Sequence, residues 1–307
     1  MTDLRTMARD LGGEVAGIGQ ILCPGVGHTA RDRSLSVRLD PRAPGGIVVH
    51  SFAGDDALAA KDYVRQRLGL SEVFARSGVN LPAEAERNFA SSPVVVPGSG
   101  ERTARALAIW AEARHPAGSP VERYLARRGL ALPDDAREVI RFHPSCPFAR
   151  TRTRAMVALV RDIVTNEPVA IHRTALSLDG CKIEVNGHDR LALGPIGGGA
   201  VKLTPDEDVT TCLGIGEGIE TTLSLRRSPE FGESPVWSLI AAGGICAMPA
   251  LPGVEALWIA VDHDPAGLKA ARTCAARWQA SGAETFLITP EAPGADLNDL
   301  IKGAHHG

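Results

Sequence analysis

CLGIGEGIETTLSL at residues 212–225 and ALWIAVDHDPAGLKAA at residues 256–271 decide how the C-terminal third of this chain reads. In the first, an apolar strand runs into Gly216-Glu217-Gly218, where two glycines let the backbone turn sharply and lift the carboxylate above a sheet. The second is an apolar strand that ends in Asp262-His263-Asp264, with Pro265 at the first position of a following helix. Around them, VWSLIAAGG (236–244) and ETFLITP (284–290) read as further strands and GLKAARTCAARWQASG (267–282) as a helix. Strands alternating with helices predict βαβ units and a mainly parallel sheet, whose sites lie at the carboxyl ends of the strands.

The acids fall at those ends. In an extended segment Asp262 and Asp264 point the same way, and if their strand neighbours that of Glu217 three carboxylates converge. Like charges at such spacing repel unless a cation joins them, and hard oxygen ligands suit Mg²⁺ or Mn²⁺. Each acid has a local alternative: Glu217 as an acid facing a helix dipole, Asp262 and Asp264 as a turn and an N-cap. A dinucleotide-binding turn at Gly214, Gly216 and Gly218 is discounted, because the full G-x-G-x-x-G is missing and the next strand ends in Ala-Ala-Gly-Gly.

Upstream, residues 1–75 read as a small unit. A short helix leads to LCPGVGH, then to strands SLSVRLD and GIVVHSF, then to an amphipathic helix from Asp55 to about Leu70. Two strands with Cys and His in the approach resemble a zinc ribbon. Residues 76–100 lack periodicity and read as a linker. Residues 101–205 form an α+β segment: a helix from Glu101, a second opened by Ser119-Pro120-Val121-Glu122 and closed by Gly129, then strands MVALVRDI, EPVAIHRTAL and AVKLT.

The chain of 307 residues has a net charge of −3, which by itself suggests no polyanion partner. Its distribution is uneven. Residues 1–205 hold 27 basic and 22 acidic side chains, whereas residues 206–307 hold 6 and 14, so a basic front precedes an acidic rear unless this is compositional drift. Arg141, His143, Arg150, Arg152 and Arg154 form a run without an acid. Arg binds phosphate bidentately, so Arg141, Arg150, Arg152 and Arg154 are candidates for phosphate contacts, against the alternative of a solvated loop. Lys202 after a glycine-rich turn is a further phosphate candidate, while His172 and Arg173 read as packing residues. No secretory segment, membrane span or CxxC pair is present, which points to a reducing cytoplasm.

G-E-G-I-E-T-T-L-S, followed about 45 positions later by W-I-A-V-D-H-D-P-A-G-L-K-A-A and by the tail P-G-A-D-L-N-D-L-I, resembles the Toprim domain of DnaG-type primases, topoisomerases and related nucleases over roughly residues 210–303. The resemblance implies that Glu217 is the acid/base or metal-facing glutamate and that Asp262 and Asp264 are metal ligands. Asp296 and Asp299 read better as helix caps. The middle segment, with HPAGSPVERYLARRGL and GGAVKLT, resembles the catalytic-core half that precedes Toprim in small phage and mobile-element primases. Cys23-Pro-Gly-Val-Gly-His28 and His50-Ser-Phe-Ala-Gly-Asp55 resemble the zinc-binding domain that opens such primases. There the second knuckle supplies two cysteines, and Ser51 and Asp55 stand in their place, so the candidate zinc set is Cys23, His28, His50 and Asp55 and bound zinc stays undecided.

The fold expected is therefore α/β and α+β: a Toprim domain at 206–307, an α+β primase core at 101–205 and a zinc-ribbon-like domain at 1–75. The expected function is a primase that joins ribonucleoside triphosphates on single-stranded DNA with Mg²⁺ or Mn²⁺. No G-x-x-x-x-G-K-[ST] occurs, so a helicase would be a separate partner. Alternatives are a Toprim nuclease and a non-catalytic nucleic-acid-binding accessory protein. A topoisomerase needs a nucleophilic tyrosine, and neither Tyr63 nor Tyr124 lies in an active-site motif.

Overall fold

A computed structural model of the chain describes residues 4–16, 19–70, 99–294 and 296–298. Most of the expected linker, and Asp299, lie outside these residues. The N-terminal unit comprises α1 (Leu4–Asp10), β1 (Glu14–Val15), β2 (Gln20–Cys23), β3 (Leu35–Leu39), β4 (Ile47–Ser51) and α2 (Ala57–Arg67). Its strands form one antiparallel sheet in the order β1-β2-β3-β4, two strands more than the apolar alternation reveals. Period-2 alternation turns Ile21, Cys23, Leu35 and Val37 inward, where Val64 and Ala60 of α2 cover them. Asp56 caps α2 by accepting a hydrogen bond from Ala59 N at 2.8 Å.

The middle segment contains α3 (Ser99–Glu112), α4 (Pro120–Ala126), β5 (Ile140–Phe148), β6 (Thr151–Asp162), β7 (Pro168–Ala175), β8 (Arg190–Leu193) and β9 (Gly199–Lys202). Ser119 caps α4 through Val121 N at 3.1 Å, and Gly129 turns the chain at φ +67°. Helix α3 packs Ala106 and Ile109 on the face of the sheet formed by Ala155, Val157 and Ile171. On the other face α4 meets Met156 and Ala158 through Val121, Tyr124 and Leu125. Strand β5 escapes a reading by periodicity because Pro144 and Pro147 interrupt it, and its ladder with β6 shifts register between His143 and Cys146.

The C-terminal part runs β10 (Cys212–Gly216), α5 (Ile219–Leu225), β11 (Val236–Ser238), α6 (Ala242–Ala247), β12 (Ala256–Ala260), α7 (Pro265–Ala280) and β13 (Glu284–Ile288). Strands β11, β10, β12 and β13 are parallel neighbours, as the alternation of strand and helix predicts. The second strand ends at Ser238, however, and its glycine tail belongs to α6. Leu213, Ile215, Leu257 and Ile259 are fully buried, as expected of parallel strands covered on both faces. Asp264 caps α7 by accepting from Gly267 N at 2.7 Å. A Cβ on Gly267 would stand 2.4 Å from Asp262 O, so this close approach of helix to strand admits only glycine.

Strand β9 pairs antiparallel with both β6 and β11, joining middle and C-terminal parts in one nine-stranded sheet, β13-β12-β10-β11-β9-β6-β7-β8 with β5 beside β6. The fold is thus mixed α/β, with a sheet that runs unbroken past residue 205.

The N-terminal unit rests against the amino ends of β10 and β12, opposite the ends that carry the acids. Lys61, 5% exposed, donates to Pro44 O at 3.0 Å and to Val209 O at 2.6 Å, and burial pushes its ammonium down to about 8. Arg65 adds a 3.7 Å ion pair with Glu207. Lys61→Ala leaves two buried carbonyls without their donor, at a cost of about 1–3 kcal/mol. Hydrogen exchange over residues 47–64 is expected to rise at least about tenfold, with residues 256–280 unchanged.

Candidate active site

Register sets the site. Gly216 of β10 lies opposite Ala260 of the neighbouring parallel strand β12, so the chain leaves both strands at the same edge with Glu217 on one and Asp262 on the other. Both carboxylates are half-buried and Asp264 is exposed. Burial raises the pKa of Asp262 to about 6, helped by the charges of Glu217, Asp296 and Asp264. Glu217 is likewise raised, by burial first and then by Asp264, while the amide of Ala242 at the start of α6 donates to its carboxylate. Asp262 Oδ1 is buried and has no hydrogen-bond partner among the described residues.

A buried carboxylate oxygen without a donor among the described residues, inside a group of mutually repelling acids, is an environment that positive charge would relieve. In donor type Asp262, Glu217 and the second oxygen of Asp264 suit Mg²⁺ or Mn²⁺. Their spacing does not close a site by itself, since among the described residues no three His, Cys, Asp or Glu side chains stand close enough to hold an ion. Asp264 combines the expected capping with its place beside the cluster. Asp296 lies near enough to act on Asp262, just ahead of the helical residues Leu297 and Asn298.

Several participants escape a reading of the sequence. The charge of Arg190 of β8 acts on Glu217, Glu220 and Asp262 alike, opposing their protonation, and its Nη1 is 3.8 Å from where a Cβ on Gly218 would be. Glu220, 6% exposed, accepts the phenol of Tyr124 at 2.6 Å. Burial works against its charge, but the Tyr124 hydrogen bond, with Arg190 and Arg128, keeps its pKa below the usual value. Tyr124 is correspondingly raised by burial and by Glu220. A buried phenol so held is not a strand-cleaving nucleophile. His172 is pushed down to about 4 by its burial. Asn298, fully buried, donates to Arg128 O at 3.0 Å and accepts from Arg128 Nη1 at 3.1 Å, tying the C-terminal tail to the end of α4. Near the acids Ile240 sits at φ +71°, a left-handed conformation that costs a β-branched residue about 1–3 kcal/mol.

The arginine run does not act as one patch. Arg152 and Arg154 alternate onto one face of β6, whereas Arg141, opposite Val157, lies on the other, stacked 4.3 Å over Trp110. Arg150 occupies the tip of the β5–β6 hairpin at φ +66°. An open cleft of about 510 Å³ at this tip is lined by Arg105, Arg150, Arg152 and Arg173, and no acidic residue stands among its described lining. Arg173, 7% exposed, spends two nitrogens on Pro147 O and Ala192 O, and its Nε has no partner. His143 is 3% exposed and 3.3 Å from Glu112. Lys202 is placed differently from a phosphate contact: it is 3% exposed, 2.7 Å from Asp206 and 4.5 Å over the Trp237 ring. Its charge is neutralised inside the protein because β9 is an interior strand of the large sheet.

The candidate zinc residues do not converge. Cys23 is fully buried in the core of the N-terminal unit, and burial pushes its thiol up to about 11. His28 lies on the surface beside Asp32 and Asp55, and His50 is exposed with its ring edge-on to Phe52. These residues do not fit a zinc ion, which requires thiolate and imidazole lone pairs aimed at one point.

Compared with known families, residues 212–304 match the Toprim domain and residues 100–203 match a domain of unknown function, DUF7146. No curated protein matches the sequence significantly. Among solved structures, the chain is similar to the Aquifex aeolicus primase, zinc-binding and RNA polymerase domains, at 14% identity and a TM-score of 0.46, over 95% of this chain and 77% of that one. It is also similar to a DNA primase domain from Pseudomonas aeruginosa (16%, TM-score 0.41, 67% of this chain and 75% of that one). The primase fragment of the bacteriophage T7 primase-helicase follows at 16% and 0.40, over 59% of this chain and 70% of that one.

Because Asp262 holds its proton more tightly in the folded protein than unfolded, its contribution is full below about pH 4 and is lost as pH rises through about 6. Asp262→Asn removes that loss. In chelator at pH 8 the variant should be more stable by roughly 1 kcal/mol, a figure discounted for the partly solvated carboxylate, and near pH 4 the two proteins should coincide. Urea denaturation at both pH values checks this.

Proposed function

We propose that this chain is a primase-like nucleotidyltransferase that makes short RNA primers on single-stranded DNA from ribonucleoside triphosphates. The observation that carries the reading is the convergence of Glu217 and Asp262 at the adjoining ends of two parallel strands in the segment that matches the Toprim domain, with a buried oxygen on Asp262 that has no donor among the described residues.

In the reaction a 3′-hydroxyl oxygen bonds to the α-phosphorus of an incoming triphosphate, the bond from that phosphorus to the bridging oxygen breaks, and pyrophosphate departs. A divalent ion held by Asp262 and Asp264 would supply charge stabilisation at the attacking and leaving oxygens, with Glu217 either as a further ligand or as the proton acceptor. Where Glu217 does not ligate the ion, its carboxylate beside Asp262 is placed to accept the hydroxyl proton. Arg190 overhangs the same turn and can receive negative charge from the polyphosphate. Along the basic hairpin, Arg150, Arg152 and Arg154 offer exposed guanidinium groups to the phosphates of the template, and Arg105 joins Arg150 and Arg152 in the cleft.

The purified protein, incubated with single-stranded DNA, labelled ribonucleotides and Mg²⁺ or Mn²⁺, should yield short labelled oligomers. Asp262→Ala/Asp264→Ala should lower the yield by at least about 100-fold. Intact DNA with no product would overturn the reading in favour of an accessory role, and shortened DNA would identify a nuclease. Arg150→Ala/Arg152→Ala should weaken binding to single-stranded DNA and flatten the slope of log affinity against log salt by about 1.4, as for two lost phosphate contacts.

A further inference from the structure

We propose that the N-terminal unit is a metal-independent module in which His28, Asp32, Ser34, Ser51 and Asp55 form a hydrogen-bonded clasp where a zinc ribbon would hold its ion. The clasp joins the loop after β2 to the loop after β4, the two segments whose Cys and His spacing suggests ribbon knuckles. His28 Nδ1 faces Asp32 Oδ2 and lies 2.9 Å from Ser34 Oγ, while Nε2 is 3.4 Å from Asp55 Oδ1. Nδ1 is thus engaged by Asp32 and Ser34 of its own loop and Nε2 is turned to the Asp55 carboxylate of the other loop, so the ring is directed at carboxylates and not at Cys23. Ser51 Oγ donates to Asp55 Oδ2 at 2.8 Å and accepts from the amides of Ala53 and Asp55 at 3.1 and 3.2 Å. Serine and aspartate therefore do by hydrogen bonding what a pair of thiolates does by ligation: they close the turn after β4 and fix it to the opposite loop.

Two further observations separate this arrangement from an empty metal site. Gly25 sits at its centre, where a Cβ would be 2.7 Å from Asp55 Oδ2, 3.1 Å from Ser34 Oγ and 3.2 Å from His28 Nδ1, so the space is filled by the network itself. Cys23 faces the other way. It shares the inward face of β2 with Ile21 and packs with Leu35, Val37, Ala60 and Val64 as a small apolar residue. The unit also has a core of its own and a buried anchor at Lys61, so its fold does not depend on a metal for closure. This inference is independent of the proposed activity.

The full chain, produced in zinc-supplemented medium and purified without chelator, tests it by elemental analysis and by hydrogen exchange of residues 20–64. Well under one zinc per chain is expected, with exchange unchanged by EDTA. Asp55→Ala should raise exchange in this region several-fold, Asp55→Asn should do so less because it keeps one acceptor, and Cys23→Ala should leave the metal content as it is. About one zinc per chain, lost on chelation together with protection of residues 20–64 or lost in Cys23→Ala, would overturn the proposal. The wild-type metal content decides even if Asp55→Ala fails to fold.

Discussion

Repulsion among carboxylates gathered at one sheet edge is the constraint on which much of this structure depends. Adjacent parallel strands β10 and β12 end in register, and each is followed immediately by an acid, so separation of Glu217 from Asp262 would require a different register of the whole C-terminal sheet. The cost is carried by fully buried strand residues on both faces and by α7, whose Ala271, Cys274 and Trp278 lie in the core beneath the site. A fold that only maximised stability would place Asn or Ser at the end of β12. The retention of a carboxylate there, with one oxygen buried and unpaired, is intelligible as a site prepared for positive charge.

That edge is held by parts of the chain remote in sequence. Strand β9 welds the middle segment to β11, and Lys202 with Asp206 sits within this seam as a buried ion pair over Trp237. On the other side of the acids, Tyr124 of α4 donates to Glu220 of α5, and Asn298 fastens the C-terminal tail to Arg128. Each partner in these contacts leaves a buried polar group unsatisfied if the other is removed, so the polar contacts specify how α4, α5 and the tail meet. Arg190 reaches the acids from β8 because β8, β7 and β6 continue the same sheet.

The C-terminal α/β arrangement was legible because its evidence is local: apolar runs of strand length, glycines at turns, and Pro265 after Asp264 at the start of α7. Asp262 beside Glu217 could be anticipated once the strands were taken as neighbours. What stayed hidden depends on pairing between distant strands. Strand β5 carries two prolines and is stabilised by its partner β6, so no periodicity announces it. Arg190 lies on a four-residue strand whose position is set by β7. Lys202 after a glycine turn looks like a phosphate contact, and nothing local reveals that β9 lies inside a sheet with Asp206 in reach.

Strand alternation also explains why the arginine run divides. Arg141 and Arg152 are close in sequence, yet the hairpin places Arg141 opposite Val157 and Arg152 opposite Pro147, on opposite faces of the sheet. Arg141 then finds Trp110 of α3, while Arg150 and Arg152 remain at the open tip with Arg105 and Arg173. The net positive charge of residues 1–205 is therefore a poor guide to a binding face, since Arg141, Arg173, Lys202 and Lys61 are all engaged within the protein. What is left for a polyanion is a smaller set at the hairpin tip, and Arg190 at the acids. The two lie on one continuous sheet, β5 and β6 at the hairpin and β8 at the acids.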